Sequence, residues 1–271
     1  MKNKVVIITG ASSGIGKALA QSFMRAEANV VLAARDSNKL QEIVQETKAD
    51  VEKVLIVQTD VTNITDCKRL IENTIKKFGK IDILINNAGI SMRAIIEKVN
   101  LDVIKRVMDV NFWGTVYCTK LALPYLIQSM GSVVGISSIA GYKGLPARSG
   151  YSASKFAVQG FLEVLRIENI NKGLHVLIAC PGFTSSNIRY NALTGDGSKQ
   201  GESPRNEKKM MSPEKVAEII VNAIKKRKHR IILTSQGKLT VLLNKFFPKL
   251  VDRMVFNHMS KEPANSFFRV L

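Results

Sequence analysis

The stretch that decides the fold is Val5-Val6-Ile7-Ile8-Thr9-Gly10-Ala11-Ser12-Ser13-Gly14-Ile15-Gly16. Four consecutive apolar residues, two of them Val and two Ile, read as a strand covered on both faces. The turn that follows carries glycine at 10, 14 and 16, and an amphipathic stretch of helical length runs from Lys17 to Glu27. Gly10 lets the chain turn sharply, and Gly14 and Gly16 let the backbone approach a ligand. The N-terminus of the helix adds free N–H groups and the positive end of its dipole, a combination suited to a pyrophosphate. The spacing is G-x-x-x-G-x-G, which differs from the common G-x-G-x-x-G fingerprint.

Six further apolar runs follow, at Val30 to Leu32, Val54 to Val57, Ile81 to Ile85, Val133 to Ile136, Val176 to Cys180 and Ile231 to Leu233. Amphipathic segments such as Lys39 to Lys48 and Asp66 to Phe78 lie between them. This alternation predicts an α/β fold: a doubly wound, seven-stranded parallel sheet of Rossmann type with helices on both faces. No repeat, linker or low-complexity segment divides the chain, so one domain is expected. Residues 1–235 would form the catalytic unit, and 236–271 a basic amphipathic extension of it.

Composition narrows the function classes. The 271 residues are 45% hydrophobic, enough for a sizeable core. No apolar run reaches the length of a membrane span. The N-terminus runs from Met1-Lys2-Asn3-Lys4 directly into the first strand, so no signal peptide is expected. Cys67, Cys118 and Cys180 are isolated in sequence and read as reduced thiols of a cytoplasmic protein. His175, His229 and His258 are scattered, so neither a metal site nor a Ser–His hydrolase pair is expected.

The net charge is +18. From Lys199 to Leu271 there are 16 basic and 6 acidic residues. That excess suits an anionic partner, such as a membrane surface or an acidic carrier, or else a solvated basic surface. Nucleic acid is not expected, because no recognition motif or exposed aromatic series accompanies the charge.

Candidate chemistry lies between Ser138 and Lys155. Tyr151 and Lys155 are four apart, on one face of a helix. An ammonium there would lower the phenol pKa from its usual value near ~10 and fit it for proton transfer. Ser138 follows the fifth apolar run and could hold a carbonyl oxygen while Tyr151 protonates it. At the end of the second run, Ala34 leaves empty the place where an acid would bind ribose hydroxyls. Arg35 supplies a cation for a 2′-phosphate, and Asp36 is placed to cap the next helix. NADP(H) is therefore expected over NAD(H).

Polar or glycine residues close the remaining runs: Asp60-Val61, Asn86-Asn87-Ala88-Gly89 and Pro181-Gly182, with Asn111 in a helical stretch. The set T-G-x-x-x-G-x-G, D-V, N-N-A-G, Asn, Ser, Y-x-x-x-K and P-G, in this order over residues 4 to about 235, resembles the short-chain dehydrogenase/reductase family. The stretches Gly89–Ala94 and N-A-L-T-G-D-G-S are most similar to its 11-beta-hydroxysteroid dehydrogenase-like and membrane-associated members.

The resemblance implies a catalytic set of Asn111, Ser138, Tyr151 and Lys155, with Asn111 ordering a relay water. It implies cofactor contacts from Gly10, Ser12, Ser13, Gly14, Ile15, Gly16, Arg35, Asp60, Val61, Asn87, Ala88, Gly89, Tyr151 and Lys155. Pro181, Gly182, Thr184 and Ser186 would seat the nicotinamide, Ser186 standing where the family often has Thr. Asn86 and Ala88 would line the adenosine side, and Asn87 would tie neighbouring strands.

The implied function is an NADP(H)-dependent carbonyl reductase or alcohol dehydrogenase, with residues 185–211 as substrate lid. Met92, Ile139, Leu145, Phe183 and Ile188 favour a hydrophobic ketone or secondary alcohol. A 3-oxoacyl-thioester reductase acting on an acidic carrier is the alternative, and a non-catalytic NADPH-sensing protein is a third reading. A homodimer or homotetramer would form through the helices from Asn111 to Gln128 and from Tyr151 to Asn171. Leu121, Leu126, Phe161 and Leu165 would supply its apolar surface. The segment from Gly237 to Met259, with a break expected at Pro248, would pack on the domain or a sister subunit, or lie at an anionic membrane.

Overall fold

In the computed structural model, residues 1–203 and 210–260 are described. Part of the expected lid (204–209) and the end of the C-terminal extension (261–271) lie outside them. The seven apolar runs form β1 (Val5–Thr9), β2 (Asn29–Ala34), β3 (Val54–Gln58), β4 (Ile83–Asn86), β5 (Ser132–Ile136), β6 (His175–Cys180) and β7 (Arg230–Ile232). All pair in parallel, in the order β3-β2-β1-β4-β5-β6-β7. The order reverses between β1 and β4, the switch point at whose C-terminal edge open α/β sheets bind ligands.

Helices cover both faces. Helices α1 (Gly14–Arg25), α2 (Ser37–Thr47) and α7 (Pro213–Lys225) pack with Val6, Ile8, Val30 and Leu32 of the sheet. On the opposite face, α3 (Ile64–Phe78), α5 (Gly114–Gln128) and α6 (Ser149–Glu168) pack with Ile7, Val31, Val133 and Val176. Alternate residues of one strand thus enter different cores, which is why the strands read as unbroken apolar runs.

Local chemistry sets the helix ends. Asp36 accepts from Lys39 N at 3.2 Å and caps α2, as expected. Asn63 caps α3, which ends on Gly79 in the left-handed region. At the other edge of the sheet, buried Asp82 joins Lys4 Nζ (2.7 Å), Val5 N (2.9 Å) and Lys80 Nζ (3.0 Å), fixing β1 beside β4.

A shorter helix, α4 (Leu101–Met108), leads into one π-helical turn at Asp109–Trp113, which continues as α5. A regular helix was expected around Asn111, and the widened turn is the difference. Pro248 ends one helix and starts another, giving α8 (Ser235–Phe246) and α9 (Pro248–Met259). Pro248 occupies the first turn of α9, where its missing N–H costs nothing.

One expectation is corrected. Leu126 and Leu165 are buried in the core and Leu121 and Phe161 pack against it, so these four do not form an outer apolar surface. The outer stripe of α6 is Phe156, Gly160, Val164 and Ile167 instead, and the Cβ position of Gly160 faces open space. The cysteines are buried and free, but Cys67 and Cys118 are brought together, their sulfurs 3.6 Å apart. A Ser–His contact does exist: Ser132 Oγ lies 2.9 Å from His175 Nδ1. His175 Nε2 donates to the Lys228 carbonyl, which leaves Nδ1 to accept from the serine. The pair is buried at the start of β5 and β6, away from the ligand edge, and burial lowers the His175 pKa.

Candidate active site

At the C-terminal edge of the sheet lies a cavity of about 1680 Å³. A drug-sized ligand needs roughly 300–1,000 Å³, so this space can hold a dinucleotide and a second molecule. One end is the glycine turn. Gly10 has φ +63°, and a Cβ there would stand 2.7 Å from Ala88 Cα. A Cβ on Gly16 would fall 2.2 Å from Gly10 O and 2.5 Å from Asn87 Nδ2. Asn87 Nδ2 donates to Thr9 O (3.0 Å) and Gly10 O (3.1 Å), tying the turn to the end of β4. Thr9 Oγ1 accepts from Asn87 N and Ala88 N, both at 3.1 Å. Sequence reasoning missed Thr9, whose only signal was its place just before Gly10.

Ser12, Ser13, Gly14 and Ile15 line the cavity with Gly10, and the Ser13 side chain makes no capping bond to α1. The start of α1 therefore keeps its dipole facing the cavity without a side-chain acceptor, a setting that fits an anionic group. Gly16 is behind the lining, pressed on Gly10. Arg35, Asp60, Val61, Asn87, Ala88 and Gly89 continue the wall, and Pro181, Gly182, Thr184 and Ser186 face them. Asn86 does not line the cavity: it is buried and donates to Thr119 Oγ1 at 2.9 Å.

Ser138, Tyr151 and Lys155 also line the cavity. Ser138 sits past the end of β5 and accepts from Ala140 N at 3.1 Å. Tyr151 and Lys155 lie on the same face of α6, with Lys155 Nζ 5.7 Å from the phenol ring centre. Lys155 is buried, and its ammonium donates to Ile136 O at 2.9 Å. That burial brings its pKa down to about 8.

The structure corrects the expected direction for Tyr151. Burial raises its pKa; a hydrogen bond with Ser138 and the charges of Arg148 and Arg189 pull the other way without overcoming it. Lys155 is not among the groups that lower it: with a pKa of about 8 its amine is already neutral at the pH where the phenol would ionise. Arg148 and Arg189 were not singled out in the sequence. Only the folding of the 185–203 segment over the cleft brings Arg189 there.

Asn111 is buried behind the wall and does not line it. Its Oδ1 accepts from Ile90 N (2.8 Å), and Nδ2 donates to Ile90 O (3.0 Å) and Ser154 Oγ (2.9 Å). Ser154 Oγ donates on to Tyr151 O at 2.7 Å. Both amide donors are thus spent on protein, and the side chain links the Gly89–Ile90 loop to the helix bearing Tyr151. The π-turn sets its direction, as such turns often do at functional sites. Ser154 was also missed; its signal was its position between Tyr151 and Lys155.

Ile139, Leu145, Phe183 and Ile188 line the cavity as expected. Met92 does not. It is fully buried against Val103, Val107 and Leu193. It forms a parallel bridge with Leu193, so the two stretches similar to the steroid dehydrogenase branch meet beside the cleft. Among the described residues no cluster could hold a metal ion, and no helix is long and apolar enough to cross a membrane.

Residues 4–196 match the short chain dehydrogenase family. Dehydrogenase/reductase SDR family member 7B of Danio rerio is 36% identical over 270 residues, 97% of this chain and 87% of that protein. The 11-beta-hydroxysteroid dehydrogenase 1A of Arabidopsis thaliana is 36% identical over 262 residues, covering 92% and 73%. A short chain dehydrogenase/reductase from Burkholderia phymatum, solved in complex with NAD, superposes with a TM-score of 0.81 at 25% identity, covering 92% of this chain and 95% of that one. The chain belongs to the short chain dehydrogenase family and is an oxidoreductase.

Proposed function

We propose that the chain is an NADP(H)-dependent carbonyl reductase or alcohol dehydrogenase acting on a hydrophobic ketone or secondary alcohol. The observation that carries this reading is one cavity lined both by the glycine turn and by Ser138, Tyr151 and Lys155. The cofactor fits the residues present: the close approaches at Gly10 and Gly16 leave room for no side chain, and the start of α1 has no side-chain cap. Gly10 to Ile15 would hold its pyrophosphate, Asp60 and Val61 its adenine, and Pro181, Gly182, Thr184 and Ser186 its nicotinamide. When bound, the nicotinamide supplies or receives the hydride.

NADP(H) is favoured because Arg35 lines the cavity at the end of β2 while the carboxylate of Asp36 is engaged by Lys39. A 2′-phosphate would meet a guanidinium and no uncommitted acid.

The chain's own residues divide the proton work. Tyr151 gives a proton to the substrate oxygen, or takes it, and Ser138 holds that oxygen. Lys155, its pKa brought down to about 8 by burial, still carries its proton for the most part at neutral pH and places a positive charge beside Tyr151. Asn111 is a positioning residue that holds Ile90 against α6. Ile139, Leu145, Phe183 and Ile188 exclude water from the reacting end. Residues 1–235 would be the catalytic unit and 185–211 its substrate lid.

For assembly, the stripe Phe156, Val164 and Ile167 on α6 beside Trp113 supports a homodimer across a two-fold axis. Turnover of a ketone panel with NADPH tests the main reading. Tyr151→Phe should abolish turnover while NADPH binding, followed by fluorescence, survives. Full activity in that variant would refute the mechanism.

A further inference from the structure

Helices α8 and α9 form a hairpin against the cavity. Leu239, Leu243, Val251 and Met254 from its inner side line the cavity wall. Its outer side is apolar. Leu239, Leu242, Phe246, Phe247, Leu250 and Met254 are each between 51% and 61% exposed. Leu239 and Met254 belong to both sets, so they stand at the rim. Exposed large apolar residues this dense mark an interaction surface. Interleaved with them are the exposed cations Lys238, Lys245, Lys249 and Arg253. The one acid among the described residues of the hairpin, Asp252, is engaged by Lys143 at 2.5 Å.

We propose that this hairpin docks on an anionic lipid bilayer, its apolar stripe entering the interface and its cations meeting the headgroups. Charge decides among occupants. A second copy across a two-fold axis would bring two sets of four cations face to face in a chain already at +18. A protein partner is also disfavoured: protein interfaces favour Tyr, Trp and Arg over Lys, whereas three of these four cations are lysines. Lysine stems instead lie along apolar surface while their heads reach outward, which suits a bilayer interface. Docked this way, the rim residues Leu239 and Met254 would sit at the lipid, and an apolar molecule could pass from bilayer to cavity without crossing water. That passage rests on the proposed function; the docking itself does not.

Co-sedimentation of the full chain with phosphatidylcholine vesicles, with and without phosphatidylserine, tests the proposal. Binding should require phosphatidylserine and weaken with salt. Lys245→Ala and Lys249→Ala should each weaken it about fivefold, and Phe246→Glu with Leu250→Glu by about tenfold or more. None of these four residues lines the cavity, so retained NADPH binding shows that each variant folds. Equal binding to both vesicle types, no binding to either, or unchanged binding by the Phe246→Glu/Leu250→Glu variant would overturn the proposal. So would equally tight binding to polyglutamate, which would assign the face to an acidic protein. A light-scattering mass falling from dimer to monomer in that variant would assign it to a second copy.

Discussion

Replacing Lys155 by Met should make the protein more stable at neutral pH and less active. Lys155 is buried, its ammonium meets one carbonyl at 2.9 Å, and its pKa falls from 10.5 to about 8. A fall of that size corresponds to a folding penalty of about 3 kcal/mol at neutral pH. Below pH 8 both folded and unfolded chains carry the proton, and the folded state bears the whole penalty. Between pH 8 and 10.5 the folded chain releases its proton first, so the unfolded state binds more protons and stability rises with pH. Above 10.5 the penalty is gone.

Methionine fills similar volume without a charge. It also forfeits the bond to Ile136 O, which costs about 1 kcal/mol. Lys155→Met should therefore gain about 2 kcal/mol at pH 7 and lose its advantage by pH 10.5. Urea unfolding followed by circular dichroism, run on both proteins from pH 7 to 10, measures this. Titration of exposed tyrosines affects both proteins alike and cancels in the difference. A difference that stays flat with pH would refute the desolvation of Lys155, whatever happens to activity.

Further expectations are smaller in scope. Arg35→Ala should raise the NADPH dissociation constant about thirtyfold, the equivalent of roughly 2 kcal/mol for a charge-assisted contact, with NADH changed less than about twofold; titrations with both cofactors decide. Gly16→Ala should prevent cofactor binding and lower Tm, because its Cβ would fall 2.2 Å from Gly10 O; near-native Tm would contradict the close approach. For Asp82, burial raises the pKa, but bonds from Lys4, Val5 and Lys80 together outweigh it and leave the value lowered. Its contribution, about 2 kcal/mol, is then present above the unfolded carboxylate value near ~4 and is lost as pH falls through the folded one, so Asp82→Asn should flatten the acid limb of the stability curve.

The central strands were legible because they are covered on both faces, so Val5 to Ile8 and Val133 to Ile136 read directly as apolar runs. The glycine turn and the Tyr151–Lys155 spacing were legible because each is local in sequence. What escaped was long-range. In the π-turn and in α5 apolar residues lie on more than one side, so periodicity could not say whether Leu126 or Trp113 faces outward. Cys67 meets Cys118, and Ser132 meets His175, across different elements, and no spacing signals either pair. The Tyr151 pKa was misjudged because spacing placed a charge nearby, whereas the balance depends on how deeply both groups are buried. The bonds of the Asn111 amide to Ile90 and Ser154 cross between elements, and no spacing signals them.

The boundary near residue 235 is visible in the composition, but the packing crosses it. Thr234 caps α8, accepting from Gly237 N at 3.1 Å, and a Cβ on Gly182 would fall 2.6 Å from Thr234 Oγ1. The end of β6, where Pro181 and Gly182 line the cavity, therefore abuts the start of the hairpin. A Cβ on Gly237 would stand 2.6 Å from Ile139 Cδ1, one residue past Ser138. Asn244 Nδ2 donates to Tyr142 O at 3.2 Å, and Lys143 pairs with Asp252. The hairpin thus holds the segment that carries Ser138 at three separate points. The same two helices supply the exposed outer side and part of the cavity lining, so a bilayer docked as proposed above would lie directly behind that wall.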